Sequence, residues 1–383
     1  MTQNQISRTR PPESRLGSGL SAAWRSTRRY RPVLALLIGV VIYFGITQPV
    51  FLSGTNIQNI FSATSVVWII AMGMTLVLIS GGLDLSVAAT ASLAGICLSK
   101  LLDAGMPGWA AVLVTVALGA VLGGLTNGVL IGPIKLNVFV VTLATLTSFT
   151  GVVNIWSGTL SAYVTDPIVN LLAIQPYLGL AAPIWIMAIV FVVFAYVQGR
   201  TYFGRDVFAI GGSMQASRLS GIRPGRTIIG VYAAAAACAA LAGIIAVGRT
   251  GAASPQVDDT VALQAIAAVL LGGTSLTGGL GGVGGTAIGV IFLGALQNGL
   301  SLNGVSSFWQ QIVTGIILVS AVLLDRVGRP ALARRRRGRP PTNIHDPGDA
   351  GGPGAASSSP PMIAEADDSR SRASEAAPTS VLN

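Results

Sequence analysis

Ten long apolar runs divide the chain, and they constrain its fold more than any other feature. They are Val33–Ile46, Ser65–Ile79, Leu85–Leu102, Ala110–Leu125, Val138–Trp156, Leu178–Val197, Ile228–Val247, Ala262–Leu271, Val283–Leu300 and Phe308–Leu324. A helix needs about 20 mostly apolar residues to cross a bilayer, and fewer where it is broken. Charged residues make up only 10% of the 383 residues, against roughly 25% in soluble domains. The pattern predicts an all-α polytopic membrane protein with about ten transmembrane helices.

The basic residues predict how these helices are oriented. Seven arginines precede the first run and seven lie within residues 326–339, directly after the last run, and cytoplasmic segments carry an excess of Lys and Arg. Under ten crossings Lys135 and the five arginines of residues 199–226 fall on the same side as both termini, whereas Lys100 and Arg249 fall on the other. We therefore expect both termini to be cytoplasmic.

Three regions follow from composition. Residues 1–32 form a basic segment, and residues 326–383 form a tail that is basic and then acidic. Neither shows a periodic pattern of apolar residues, so both are expected to be disordered. Residues 33–325 form the membrane domain. Despite the net charge of +10, juxtamembrane arginines are expected to contact anionic lipid, and we expect no nucleic-acid partner.

Two glycine-rich interruptions, one in each half of the chain, mark broken helices. The first is Ser80–Ser86, which contains Asp84, and the second continues the short eighth run through Gly272–Gly279. An ionised Asp at bilayer depth costs about 2.5–3.5 kcal/mol on insertion scales, and non-helical backbone there is tolerated only in protein or beside a water-filled cavity. Paired interruptions predict inverted repeats around a central pathway, with spans two to five and seven to ten as the repeats.

The 199–226 segment is the longest hydrophilic connection between runs. Ser213 is expected to be the N-cap of a short helix over Met214–Ser220, with Gly221 in the left-handed position after its end. Two turns of helix are not stable alone in water, so this helix must dock. Residue types alone leave two docking sites open for this helix: a groove on a soluble partner, or the membrane face of its own protein.

Four separated motifs resemble one family. They are Ser80–Val87, Phe208–Gly212 followed by Ala216–Ile222, Ala265–Leu276, and Trp309–Val313 with Asn298–Leu300. Together they resemble the permease subunits of ribose-type bacterial ABC sugar importers, over roughly residues 33–325.

The resemblance implies a vitamin B12-importer type of transmembrane fold in the bacterial inner membrane. It implies a second permease subunit, identical or paralogous, a cytoplasmic ABC ATPase that binds ATP and Mg²⁺, and an extracytoplasmic sugar-binding protein. In that picture the 199–226 segment is the coupling segment. Its expected ATPase-coupling residues are Ala209, Ile210, Gly211, Gly212, Ser213, Ala216, Arg218, Leu219, Ser220 and Gly221.

The chain carries no catalytic constellation of its own. It has no phosphate-binding Gly-x-x-x-x-Gly-Lys-Ser/Thr loop, so the energy source must be a separate polypeptide. One histidine, His345, lies in the tail, and the two cysteines lie in apolar runs. We expect no enzymatic activity, no bound cofactor and no metal site in this chain.

A pathway for neutral sugars should present hydroxyls and amides, because polyols exchange hydrogen bonds and do not form ion pairs. The residues expected to line or gate it are Gly81, Gly82, Asp84, Ser86, Asn154, Thr274, Asn298 and Gln310. For Asp84 we favour a role as an acceptor that holds the glycine turn or caps the third span.

Two alternatives stay open. One is a permease of the same fold for a nucleoside or a furanose signal molecule. The other is an ion-coupled secondary transporter in which Asp84 carries a proton or binds sodium, although no second intramembrane acid or base offers a relay.

Overall fold

The computed structural model describes residues 30–337, with side chains as far as residue 323. The predicted N-terminal segment and most of the predicted tail lie outside the described residues.

The described part of the chain is helical. The helices are α1 Arg31–Thr47, α2 Gly54–Ile79, α3 Val87–Asp103, α4 Gly108–Ile131, α5 Val138–Ser157, α6 Pro167–Ala173, α7 Ala182–Arg200, α8 Tyr202–Gly212, α9 Met214–Leu219, α10 Pro224–Thr250, α11 Asp259–Leu271, α12 Val283–Leu302 and α13 Ser307–Arg337. α4 contains a π-helical turn at Gly124–Gly128. Each of the ten predicted spans coincides with one of these helices.

Six of the helices are long and apolar enough to cross a membrane by length and composition: α2, α4, α5, α7, α10 and α12. Shorter apolar helices are α1, α11 and the Ser307–Leu323 part of α13. The chain is therefore a polytopic helical membrane protein, as the apolar runs predict.

Four two-residue strands supplement the helices. β1 Ala162–Tyr163 pairs antiparallel with β4 Ala252–Ala253, and β2 Pro176–Tyr177 pairs with β3 Leu180–Ala181. The predicted span Leu178–Val197 therefore starts too early. Leu178 and Gly179, with φ of 51° and 81°, form the two-residue turn of the β2–β3 hairpin, and two left-handed residues are typical of such a turn.

Helix α10 is the centre of the packing, with α2, α3 and α4 against it. Small residues make the close approach possible, as they do between membrane helices generally. A Cβ on Gly73 of α2 would lie 2.7 Å from the Cα of Ala235, and a Cβ on Gly119 of α4 would lie 2.6 Å from the Cβ of Ala240. The middle of α10 is accordingly buried on several sides.

The two ends of the helix bundle differ. At one end, which we call the glycine-turn end, the loops 80–86 and 272–282 meet, since the Gly279 N–H donates to the Ile79 carbonyl over 2.8 Å. At the other, the strand end, lie the β1–β4 pair and the loop 254–258, and α10 runs from the first end to the second. The two glycine-rich interruptions thus belong to one end of the molecule.

Candidate functional site

The first glycine turn ends α2 through backbone hydrogen bonds. Gly81 has a φ of 83°, a left-handed conformation that glycine adopts without steric cost. The Gly81 N–H donates to Leu78 O and the Gly82 N–H donates to Val77 O, both over 2.9 Å. The turn is closed by the main chain, so Asp84 is not what holds Gly81 and Gly82, contrary to one of the roles predicted for it.

Asp84 instead organises the start of α3. Its Oδ1 accepts from the backbone N–H of Ser86 over 2.9 Å and from the Ser86 hydroxyl over 2.6 Å. The carboxyl group is only 1% exposed, and the partners that bond it are neutral. An acid just before a helix N-terminus is favoured by the orphan N–H groups there. Asp84 therefore accepts hydrogen bonds from the residue that precedes α3 and not from the first turn of that helix, and its role as a helix cap stays a prediction.

Asn127 extends this cluster to α4 and α5. Its Nδ2 donates to Asp84 Oδ1 over 3.2 Å and to Ser86 Oγ over 2.8 Å, and its Oδ1 accepts from the Thr145 hydroxyl over 2.6 Å. Asn127 lies within the π-helical turn of α4, a local widening that frequently occurs at functional sites. The four residues Asp84, Ser86, Asn127 and Thr145, which we call the buried polar network, join three helices.

Asn127 is not among the site residues predicted from the sequence. A signal was present, because an amide stands inside the sequence Gly124-Leu-Thr-Asn-Gly128 at the end of an apolar run. Interior polar side chains of membrane helices usually pair across helices, and that rule points to Asn127.

The second glycine turn connects α11 and α12. Gly273, Gly278 and Gly279 have φ of 83°, 83° and 71°, and the Ser275 N–H donates to Leu280 O over 2.9 Å. Thr274 is buried and its hydroxyl accepts from the Gly282 N–H over 3.4 Å. In this conformation Thr274 supports the turn from within.

Gln198, in the last turn of α7, also holds the second glycine turn. Its Nε2 donates to Gly281 O over 3.4 Å and its Oε1 accepts from the Val283 N–H over 3.0 Å. It therefore caps the start of α12 from another helix. Gln198 is not among the predicted site residues, since a glutamine in the last turn of an apolar helix is a common helix end.

The 199–226 segment forms two short helices and not one. The expected helix is present as α9, where the Ser213 hydroxyl accepts from the Ala216 N–H over 3.2 Å and Gly221 has a φ of 82°. Both predicted end residues are confirmed, and the helix ends at Leu219, with Ser220 as its C-cap.

The helix before it, α8, was not predicted. The sequence does indicate it, because the apolar residues Phe203, Val207 and Ile210 recur at helical spacing. Val207 and Ile210 are buried in the core. α8 holds the predicted coupling residues Ala209, Ile210, Gly211 and Gly212.

The surface of α9 is exposed. Leu219 is 85% exposed, and Met214, Ala216 and Arg218 are exposed as well. Met214 also lines a cavity of about 270 Å³ at the glycine-turn end, together with Gly81, Gly82 and Lys135. One helix thus lines a cavity beside the first glycine turn and presents an apolar and basic surface outward.

Polar cavities lie at the strand end. One, of about 740 Å³, is lined by Thr147, Thr150 and Asn154 of α5 and by Gln256 and Asp259. The predicted pathway residue Asn154 therefore faces a large space with hydroxyl and amide neighbours.

A second polar cavity, of about 410 Å³, lies between α11, α12 and α13. Its lining includes four glutamines, Gln264, Gln297, Gln310 and Gln311. Asp258, Thr260 and Thr314 also line it. Gln310 was predicted, and its Nε2 donates to Ser301 Oγ and Val305 O. Gln264 and Gln297 were missed because each stands alone in an apolar run.

Asn298 has a structural partner. It forms a reciprocal amide pair with Asn56, in which each Nδ2 donates to the other Oδ1 over 2.9 and 3.0 Å. The pair ties α12 to the start of α2. Among the described residues no group of three or more His, Cys, Asp or Glu side chains could hold a metal ion.

The sequence matches known transport proteins over most of its membrane domain. A family profile described as "Branched-chain amino acid transport system / permease component" matches residues 56–322. The Ribose import permease protein RbsC of Escherichia coli (strain K12) is 38% identical over 307 residues, which cover 79% of this chain and 94% of that protein. RbsC of Bacillus subtilis (strain 168) is 40% identical over 304 residues, covering 77% and 92%.

A third relative broadens the set. The D-allose transport system permease protein AlsC of Escherichia coli (strain K12) is 34% identical over 301 residues, covering 78% of this chain and 92% of that protein. No solved structure matches the chain significantly. The profile covers the glycine turns, the buried polar network, α8 and α9, and the relatives align over nearly their whole lengths, so this chain belongs to the family of transport-system permease components.

Proposed function

We propose that this chain is the membrane-spanning permease subunit of an ATP-binding-cassette importer and forms the pathway for a monosaccharide, a ribose-like pentose or a related sugar. The observation that carries the proposal is the similarity to ribose and allose permeases along nearly their entire lengths. Import would proceed by alternating access, a shift between two conformations driven by a partner that binds them differently.

The proposed topology has ten crossings, with the glycine-turn end in the cytoplasm of a bacterial inner membrane. Consecutive spans alternate in direction, which supports the count: α2 ends at the glycine turns, α3 leaves from there, and α11 and α12 repeat the pattern. The arginines of residues 199–226 lie at this end, as the positive-inside rule requires of a cytoplasmic face. The basic chain termini would be cytoplasmic and would contact anionic lipid.

We further propose a vitamin B12-importer-like fold with inverted repeats, α2–α5 and α10–α13. The alternating directions support this, because α2 runs toward the glycine-turn end and α10 away from it. In such an arrangement the turn after α2 corresponds to the segment after α10, around Gly251. The two glycine turns would then be neighbours and not repeat counterparts, which revises the expectation drawn from the sequence. Superposition of the two quartets tests the repeats.

Helix α9 is the proposed docking element for a cytoplasmic ABC ATPase. It is too short to be stable alone, yet it is capped at both ends and exposes Leu219, Met214 and Arg218. Leu219 is an apolar side chain exposed to water, and burial in a groove of a soluble partner would be favourable for it. ATP and Mg²⁺ would be bound by that partner, since this chain lacks a phosphate-binding loop.

The pathway is proposed to run along the polar faces of α5 and α13. Thr147, Thr150 and Asn154 form one hydroxyl and amide surface, and the four glutamines around Gln310 form another. Hydroxyl and amide donors and acceptors suit a neutral polyol, and each cavity also has one aspartate in its lining, Asp259 in the first and Asp258 in the second. A second permease subunit, a copy or a paralogue, would close the open side of these cavities, and an extracytoplasmic sugar-binding protein would deliver substrate at the strand end.

The test is reconstitution of this chain with its ATPase and sugar-binding protein in liposomes, followed by uptake of labelled ribose. We expect uptake to require ATP and both partners, and to survive a protonophore. Uptake that collapses with a protonophore but proceeds without ATP would overturn the proposal in favour of ion coupling, and competition by a nucleoside but not by sugars would change the substrate class.

Asn154→Ala tests the pathway. The loss of one hydrogen bond, worth about 0.5–1.5 kcal/mol, should slow uptake roughly 2- to 10-fold while sugar affinity of the binding protein stays the same. Ser148→Ala is the matched control, because Ser148 is also exposed on α5 but does not line the cavity. Equal uptake in the two variants would remove Asn154 from the pathway.

A further inference from the structure

Five glycines from three chain segments meet at one point, which we call the glycine junction: Gly81, Gly211, Gly212, Gly278 and Gly279. A Cβ on Gly278 would lie 2.8 Å from the nitrogen of Gly81 and 2.9 Å from the Cα of Gly211. A Cβ on Gly211 would overlap both the Ile79 carbonyl oxygen and the Gly279 nitrogen. These are the two atoms that hydrogen-bond each other across the glycine turns.

The junction is made of backbone alone. Real Cβ atoms do not approach other atoms as closely as 3.0 Å, so the three chain segments meet without any side chain between them. Side chains can change rotamer and absorb small displacements, whereas closely packed backbones transmit them. A displacement of Gly211 must therefore move the end of α2, the second glycine turn, or both.

Gly211 is also close in the chain to the docking helix. Only Gly212 separates it from Ser213, the N-cap of α9. The remainder of α8 is fixed in the core by Val207 and Ile210, which are buried. α9 is thus joined directly to the junction on its N-terminal side and, through residues 220–223, to the membrane helix α10 on its C-terminal side.

We propose that Gly211 is the positioning residue through which α9 drives both glycine turns as one unit. This inference rests on the proposed docking of an ATPase on α9. When the ATPase displaces α9, Gly211 moves the Ile79–Gly279 pair. The end of α2 and the start of α12 then shift together, and the buried polar network, which begins five residues after Ile79, follows. Gln198, which bonds Gly281 and Val283, adds a second attachment from α7.

The test is Gly211→Ala in the complete importer, with sugar imported per ATP hydrolysed as the readout. Gly199→Ala is the matched control, because a Cβ on Gly199 meets nothing within 4 Å and Gly199 also lies in the 199–226 segment. We expect Gly211→Ala to assemble with the ATPase and hydrolyse ATP within about 2-fold of the wild type, but to import at least 10-fold less sugar per ATP. The control should keep the wild-type ratio.

The possible failures are distinguishable. If the wild-type chain does not bind an ATPase, or binds it equally well with Leu219→Asp, the proposed function fails. If binding is intact and Gly211→Ala keeps the wild-type ratio, only the role of Gly211 is overturned.

A second measurement covers the case in which Gly211→Ala does not assemble. Spin labels are attached to Tyr202→Cys on α8, Leu280→Cys on the second glycine turn and Leu160→Cys at the strand end; all three native side chains are exposed. With and without ATP, the distance between positions 202 and 280 should stay constant while both distances to position 160 change. A changed distance between 202 and 280 would show that α8 slides past the turn and would overturn the proposal.

Discussion

Asn127 holds the buried polar network together, and Asn127→Leu tests that network directly. Its side chain makes three hydrogen bonds, to Asp84 Oδ1 over 3.2 Å, to Ser86 Oγ over 2.8 Å and from Thr145 Oγ1 over 2.6 Å. Leucine is close to asparagine in shape but can neither donate nor accept. The variant therefore leaves all three partners short of a bond in a site where Asp84 is 1% exposed.

The expected cost follows from the number of bonds. Double-mutant cycles in a membrane protein give about 0.6 kcal/mol for a side-chain hydrogen bond between helices, with a maximum near 1.7. Three bonds then amount to about 2–5 kcal/mol.

The assay is unfolding of the purified chain by SDS titration in mixed micelles. Thr126→Ala is the control, since Thr126 lies in the same π-helical turn and its hydroxyl bonds only Leu122 O of its own helix; it should cost less than about 1 kcal/mol. A cycle that combines Asn127→Leu with Thr145→Val should show a coupling energy of at least about 0.6 kcal/mol. A coupling near zero, with Asn127→Leu no worse than the control, would refute the network.

Four further outcomes are expected. Asp84→Asn should lower labelled-ribose uptake only a few-fold, because an amide oxygen can still accept from Ser86, whereas Asp84→Ala should nearly abolish it; normal uptake by both variants would exclude a gating role. Gly221→Val should lower sugar imported per ATP, because a β-branched residue resists the left-handed φ of 82°, and an unchanged ratio would speak against the importance of this cap. Asn298→Leu should cost about 1–3 kcal/mol in SDS titration through loss of the Asn56 pair, with sugar selectivity unchanged in competition assays. Deletion after Pro340, which removes residues outside the described part, should leave uptake intact; reduced uptake with normal membrane insertion would reveal a partner contact.

Most of the fold was predictable because lipid restricts the choices. A backbone at bilayer depth must satisfy its own hydrogen bonds, so an apolar run of sufficient length leaves little besides a helix, and all ten runs coincide with helices. The ends were less predictable. Leu178 reads as the start of an apolar run but turns a hairpin, a result of local backbone geometry that hydropathy does not report.

The local features of the site were predictable where one residue type has one dominant reason to be present. Ser213 and Gly221 at the ends of α9 are such cases. Contacts between distant segments were not, because a lone Asn127 or Gln198 gives no sign of its partner. The glycine junction was equally hidden, since Gly81, Gly211 and Gly278 are far apart in the chain and only the fold brings them together.

A broken helix in a membrane leaves backbone N–H and C=O groups that need hydrogen-bond partners. In the glycine turns, other backbone groups supply some of these partners. Gly279 satisfies the free carbonyl of Ile79, Leu280 accepts from Ser275, and Val77 accepts from Gly82. The Gly279–Ile79 bond therefore pairs a backbone group of one helix break with a backbone group of the other. The two segments can come this close because glycines carry no side chain. Such a joint is compact, and a cavity of about 270 Å³ lies beside its first glycine turn. We accordingly expect sugar to contact the amides and hydroxyls of α5 and α13, while the glycine turns and Asp84 set the positions of those helices.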